Sequence, residues 1–511
     1  MRQARIRGWG CATVGGALTA FAFAPWSLAW LAPVGIAALV LAVQRQGPVG
    51  GGLAGGAYGV VFFGMTLWWL SESIAVAAWS AIVLTQAVWL VATGVAMTLV
   101  RDLPAWPIWT ALVWTTVETA RSLVPWGGVP WGRLGYTAVD APWSGVLAVG
   151  GVAGAGTLVV LMGAAAANLV MAVARRRNGR GLTRPMVATT AGVGVMVWVV
   201  LDAAAVGGRL GVQEQGRARV AVVQGGVPGD GTQVAVNHRQ VTLNQLKQTR
   251  DVLASPGPSS AAPDFVLWPE NATAVDPSVD PTAGALLDTA VREAGAPVLV
   301  GAIVDGPSPS LALNQAIVWT ARGPGARYTK QHLVPFGEYV PFRAIAEQVS
   351  SRVAAIQRDM VEGGDAAPLQ VAGRRIAAAL CFDIAYDDVL REQVDQGADL
   401  VTVQTSNAMF LRTAQLEQQW DVTRARAVEV GRGVVVASLN GISGAIGPDG
   451  RVIERLPSRE SRGSLVEVPT TSGVTPAVRL GPWPGRAAGL LAVVAVGVAL
   501  GRRRSPMQEK S

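Results

Sequence analysis

Cysteine and histidine are almost missing from this chain. Two of each stand among 511 residues: Cys11 and Cys381, His238 and His332. Two cysteines cannot knit a disulfide scaffold, and no cluster of Cys, His and carboxylates has metal-ligand spacing. No glycine-rich phosphate loop follows a strand either, so no metal or other cofactor is expected. Charge is scarce as well, at 15% of residues against 50% hydrophobic, with mean hydropathy +0.36. That balance excludes an ordinary soluble protein of this length and points to a membrane protein with a soluble part. Lysine is the remaining shortage. Lys247, Lys330 and Lys510 stand against 39 arginines.

The net charge of +8 is unevenly divided. Residues 217–480 hold 24 basic and 27 acidic side chains, whereas the rest of the chain holds 18 basic and 7 acidic. The basic excess therefore flanks apolar segments instead of forming a nucleic-acid-binding face, and no nucleic-acid partner is expected. Apolar runs lie near 8–24, 26–43, 51–70, 76–100, 105–125, 143–174, 185–206 and 484–501. Most approach the roughly 20 residues that cross a bilayer. Eight spans put both termini on one side, and the positive-inside rule makes that side cytoplasmic. "MRQARIR", Arg45, Arg101, "RRRNGRGLTR" and "GRRR" then all lie inside, with "SES" (71–73) and the segment after 206 outside. The expected plan is a seven-helix transmembrane domain (1–206), an extracytoplasmic domain (217–468), a last span (484–501) and a cytoplasmic tail (502–511). The "AFA" at 22–24 resembles a signal-peptide cleavage site, but Pro25 and a second apolar run follow at once, so an uncleaved first span is expected.

Residues 217–468 have ordinary globular composition. β-rich runs end in polar residues: "RVAVVQG", "DFVLWPEN", "APVLVGAIV", "LNQAIVWT", "RRIAAALCFD", "DLVTVQTSN" and "GVVVASLNG". Helical stretches such as 282–294 and 384–397 intervene, which predicts an α/β layered domain. The chemistry stands at strand ends. Glu270 follows an apolar strand in "LWPEN", "RYTKQHLVPFGEYVP" supplies Lys330 and Glu338, and "ALCFD" puts Cys381 where a strand passes into a helix. A thiol at that position can be exposed, with its pKa lowered by helix-end amides. A lysine where arginine is the habitual cation suggests that a compact ammonium matters. A thiol, a carboxylate base and an ammonium are the parts of acyl transfer, in which the base takes the thiol proton and the cation stabilises the oxyanion.

Glu270, Lys330 and Cys381, in this order and setting, resemble the Glu-Lys-Cys triad of the nitrilase superfamily. "KQHLVPFGEYVP", "FAFAPW", "WGGVPWGRLGY", "VQGGVP" and "TRARAVEVGRGVVVASLNGISGAIGPDG" resemble one family within it, the apolipoprotein N-acyltransferases. The resemblance implies an αββα sandwich joined to a membrane-helix bundle of about eight spans in the cell membrane. It also implies ping-pong acyl transfer from a phospholipid, typically phosphatidylethanolamine, to the N-terminal amine of a diacylglyceryl-cysteine apolipoprotein. Glu338 matches a second, supporting glutamate of the family. Phe382, Asp383 and Met409 stand where the family often carries Tyr, Glu and Trp, and are the expected substrate-contacting positions.

Other classes compete. His332 lies 49 residues before Cys381, a caspase-like spacing, but "LCFD" lacks that context. A tethered amidase would need one span, not eight. A non-enzymatic lipid-binding scaffold would not need an intact triad. In the membrane half, Glu118, Arg121 and Arg133 flank "VPWGGVPWG" and stand either as headgroup contacts or as interfacial anchors with Trp126 and Trp131.

Overall fold

The structure, a computed structural model, describes residues 2–178, 211–255, 262–343, 358–364, 366–410 and 412–504, with isolated positions 192, 194 and 197. The chain divides into two units, Met1–Gly208 with Leu480–Ser511, and Arg209–Arg479.

The first unit is helical. Helices α1 (Arg2–Ala20), α2 (Leu31–Gln44), α3 (Pro48–Thr66), α4 (Trp69–Ser73), α5 (Val76–Val100), α6 (Trp106–Arg121) and α7 (Val146–Arg177) precede the second unit. Among the described residues, four helices are long and apolar enough to cross a membrane: α3, α5, α7 and the C-terminal Trp483–Arg503. Helix α2 is apolar but only 14 residues long. The expected run at 105–125 shortens to the 16 residues of α6, and α7 is interrupted at Gly151 (φ 66°). The expected span at 185–206 lies outside the described residues apart from three helical positions. Glycine lets α3 and α5 touch backbone to backbone. A Cβ on Gly55 would stand 2.0 Å from the Leu90 carbonyl oxygen, and one on Gly94 would stand 2.1 Å from that of Gly51. Small residues one turn apart permit this approach where no hydrophobic gain separates helix from lipid.

The second unit is built on two sheets. Numbered in chain order, with β6 (Asp359–Met360), β7 (Leu369–Val371), β11 (Ser443–Ile446) and β12 (Val452–Leu456) among them, the first has the order β13-β1-β2-β3-β4-β5, with β6 beside β4, and the second β12-β11-β10-β9-β8-β7. The strands that matter here are β1 (Val212–Gln224), β2 (Phe265–Leu267), β3 (Val298–Asp305), β4 (Leu311–Thr320), β5 (Gly323–Thr329), β8 (Arg374–Leu380), β9 (Leu400–Thr405), β10 (Val434–Ser438) and β13 (Arg462–Gly473). Strands β8, β9 and β10 are mutually parallel, as are β1, β2 and β3. Parallel strands covered on both faces read as unbroken apolar runs, and β9 and β10 are buried at every residue.

Helices α8 (His238–Ala254) and α9 (Pro281–Ala294) pack on the first sheet, with α10 (Asp388–Asp395) and α11 (Gln415–Val430) on the side of the second. The sheets face each other through β1 against β10 and β4 against β8, which completes an αββα sandwich. Local sequence sets the elements. Asp280 caps α9 by accepting from the amides of Thr282 and Ala283 at 2.9 and 2.8 Å, Pro281 opens the helix, and Gly295 (φ 61°) closes it. Trp268, Leu287, Val300 and Ile317 are among the side chains that fill the layer between the helices and the first sheet.

Candidate active site

Strands β2, β5 and β8 end at one edge, and each is followed there by a candidate side chain. Glu270 stands three residues beyond β2, where Pro269 interrupts pairing. Gly301 on neighbouring β3 admits this turn, since a Cβ would stand 2.5 Å from the Glu270 Cα. Lys330 follows β5 directly, and its amide donates to the Asn314 carbonyl on β4 at 2.9 Å. Cys381 follows β8 with φ 49°, a left-handed conformation uncommon for a residue with a side chain, and opens a 3₁₀ turn through Ala385. Strain of this kind at a strand end is held by its surroundings. Buried Arg426 of α11 supplies the hold. Its Nε donates to the Ile384 carbonyl at 2.9 Å, its Nη2 donates to that of Ala385 at 2.7 Å, and it pairs with Asp387 at 2.8 Å.

The three segments meet around one ammonium. Lys330 Nζ lies 2.9 Å from Glu338 Oε1 and 3.6 Å from Glu270 Oε1, with the lysine side chain 1% exposed. Asn314 Nδ2 donates to both carboxylates, at 2.8 Å to Glu270 Oε1 and 3.1 Å to Glu338 Oε1. The other oxygens are also engaged. The Ser406 amide donates to Glu270 Oε2 at 2.9 Å and the Val334 amide to Glu338 Oε2 at 2.8 Å. The burial of Lys330 opposes its charge, but Glu338 and then Glu270 overcome this and hold it above the ordinary lysine value.

The thiol differs from its expected state. Helix-end amides do not lower it: burial, followed by the charge of Glu270, pushes Cys381 up to about 12, against the opposing pull of Lys330. The hydroxyl of Thr405 lies 3.4 Å from Sγ and 2.8 Å from Asn407 Oδ1, so its one proton serves either. Gln419 Nε2 donates to the Cys381 carbonyl at 3.3 Å. The resting nucleophile is thus a protonated thiol beside two carboxylates.

Asp383 is fully buried, and its burial pushes it up to about 6. It accepts from the Tyr328 hydroxyl at 2.7 Å, the Leu380 amide at 3.2 Å and the His332 amide at 2.9 Å, which ties the lysine loop to the nucleophile turn. Phe382 packs edge-on against Tyr386 at 5.5 Å. His332 stacks on Tyr386 at 3.7 Å, with its Nε2 2.9 Å from Asp388 Oδ1. Burial opposes its protonation, but Asp388 holds it above the ordinary histidine value. Those two partners occupy its ring. Met409 is 57% exposed, and Phe336 and Phe342, on the loop that carries Glu338, are 49% and 70% exposed. Asn314, Thr405 and Gln419 were not singled out from the sequence, although an asparagine inside the apolar run "LNQAIVWT" was a visible signal.

The membrane-half charges are interior. Glu118, Arg121 and Arg133 are 4%, 2% and 2% exposed. Arg121 donates to the carbonyls of Val129, Trp131 and Gly132 at 2.9, 2.9 and 3.0 Å, and Glu118 accepts from the Leu134 amide at 2.9 Å. Among the described residues, no cluster of His, Cys, Asp and Glu could hold a metal ion.

Two family models match the chain: the apolipoprotein N-acyltransferase N-terminal domain over residues 15–165 and carbon-nitrogen hydrolase over 219–473. The chain is 32% identical to an apolipoprotein N-acyltransferase of Mycolicibacterium smegmatis, over 92% of this chain and 82% of that one. It is 30% identical to one from Ralstonia nicotianae over 96% and 92%, and 29% identical to one from Methylococcus capsulatus over 96% of each. The chain belongs to the apolipoprotein N-acyltransferase family of the nitrilase superfamily.

Proposed function

We propose that this chain moves a fatty acyl group from a membrane phospholipid to the α-amine of a diacylglyceryl-cysteine apolipoprotein, in two steps through a thioester on Cys381. The observation that carries this is the single ammonium of Lys330 held between Glu270 and Glu338 beside a strained thiol. Because the thiol rests protonated, attack and deprotonation go together. Cys381 Sγ bonds to the donor ester carbonyl carbon as its proton passes to Glu270, and Lys330 stabilises the oxygen that gains charge. The carbon–oxygen bond breaks, and Glu270 returns the proton to the departing lysophospholipid. In the second step the acceptor amine attacks the thioester, Glu270 takes the amine proton, an amide forms and the thiol is restored. Glu338 keeps Lys330 charged and placed. The exposed Phe336, Phe342 and Met409 suit an apolar substrate.

The arrangement in the membrane belongs to the same proposal. About eight helices span the cell membrane, residues 217–468 lie outside, both termini are cytoplasmic, and phosphatidylethanolamine is the donor. Intact mass of the purified protein after incubation with phospholipid tests the chemistry. The expected result is a fatty-acyl adduct on Cys381 that hydroxylamine removes. Release of free fatty acid or ammonia with no adduct would point to a hydrolase and overturn the transfer.

A further inference from the structure

Beside the triad-bearing strands, β1 and β10 also end at this edge, and a cavity of about 780 Å³ opens beyond them. Its floor is the glycine-rich turn 226–231. One wall is the start of α8 with Gln240 and Asn244, and the other is Arg412 with the turn 458–461. The site is built from fixed backbone. Asn440 Nδ2 donates to the Gly231 carbonyl at 2.9 Å, and the Arg459 amide donates to the Asn440 carbonyl at 2.8 Å. Arg412 and Arg459 both adopt left-handed backbone, at φ 67° and 65°.

The charges are of both signs but differ in their commitments. The guanidiniums of Arg412 and Arg459 have no hydrogen-bond or ion-pair partner among the described residues. Asp230 accepts from the amide and hydroxyl of Thr232 at 2.9 and 2.8 Å, and these bonds hold it below the usual carboxylate range. Glu460 stands 3.8 Å from Arg462. A hydrogen-bonded path leads from the loop that carries Asn440 toward the nucleophile. Asn440 stands two residues after Ser438, whose Oγ donates to Asn407 Oδ1 at 3.1 Å, the oxygen shared with Thr405 beside Cys381 Sγ.

Resting on the acyl-transfer proposal above, we infer that this cavity seats the zwitterionic phosphodiester headgroup of the acyl donor. The phosphate lies on Arg412 and Arg459, whose planar forks match its oxygens, and the ammonium lies toward Asp230 and Glu460. A headgroup that is only anionic leaves the carboxylates opposed to it. A cationic peptide terminus leaves the two guanidiniums unmet.

The test uses the full chain with Cys381→Ala, so that binding is read without turnover. Calorimetry with sn-glycero-3-phosphoethanolamine should show binding, weakened about tenfold or more by Arg412→Gln with Arg459→Gln. Both proteins should unfold at the same temperature. sn-Glycero-3-phosphoglycerol should bind more weakly than the ethanolamine diester, and Glu460→Gln should narrow that difference. Equal binding to both proteins, or no binding to either, overturns the assignment. So does inorganic phosphate binding as tightly as the whole headgroup, which would make this a simple anion site. Displacement by a diacylglyceryl-cysteine peptide, with no effect of the diester, would give the cavity to the acceptor. Failure of Cys381 to take an acyl group from lipid would instead sink the transfer chemistry, because the binding arm does not depend on it.

Discussion

Each unit of the chain buries an ionic cluster, and the two are used differently. In the helical unit, Arg121 and Glu118 stand 3.8 Å apart and direct four hydrogen bonds to the backbone of residues 129–134. Three carbonyls and one amide of that segment, which lies beyond the end of α6, are satisfied by the pair. In the sandwich, Lys330 faces two carboxylates, and a third buried acid, Asp383, lies close enough to act on its charge. A thiol is placed among them. The first cluster is closed, its groups answered by backbone and by the side chains of Gln86 and Trp114, and it holds a loop. The second keeps more acceptors than cations, so a proton can move within it. Burial alone does not mark an active site. Unequal donors and acceptors beside a nucleophile do.

The largest expected effect breaks the second cluster. Glu270→Gln keeps shape but removes basicity, and acyl transfer should fall roughly 100- to 10,000-fold. Lipoprotein mobility-shift assay measures it, and robust thioester formation by this variant would show that Glu270 is not the base. The first cluster should answer in stability instead. Arg121→Ala leaves Glu118 buried without its cation and should destabilise the helical unit by roughly 3–5 kcal/mol. Thermal unfolding in detergent reads this, and an unchanged midpoint would reduce Arg121 to a bystander. Lys330→Arg keeps the charge, but a guanidinium locks onto one carboxylate and shifts the donor by about 1 Å, which costs roughly 100-fold. Near-normal acylation by that variant would remove Lys330 from the catalytic machinery.

A smaller effect sharpens the same contrast. Burial, then Glu270, raises the Cys381 thiol, so its alkylation by iodoacetamide should climb only as pH rises toward about 12. Removing the Glu270 charge lowers that value, and Glu270→Gln should alkylate faster than the native protein at pH 8 while transferring acyl groups more slowly. Matching alkylation rates would mean that Glu270 does not act on the thiol. The mildest perturbation concerns placement. A cysteine introduced at Asn178 should resist impermeant reagents added from outside, whereas one introduced at Ser464 should react. Labelling of both would break the proposed topology.

Residue order alone determined the layered character of residues 217–468, because apolar runs ending in polar residues are readable from period and composition. It also marked Glu270, Lys330 and Cys381, since each stands at the end of such a run and the scarcity of lysine singled out Lys330. It stopped short where neighbours in space are strangers in sequence. Asn314 bridges two glutamates 44 and 24 residues away. Thr405 meets a thiol 24 residues earlier, and Asp383 joins Tyr328 and His332 across more than 50 positions. The thiol misled for the same reason. A strand end before a helix predicts a lowered value, whereas burial at the end of β8, followed by the charge of Glu270, raises it. Helix limits in the membrane half followed composition only loosely, because the interruption at Gly151 and the close approach of α3 and α5 answer to packing partners. Composition determines what must leave water and which chemistry is affordable. Only the tertiary arrangement, in which parallel strands bring their ends to one edge, decides which charges face one another and so which of them can move a proton.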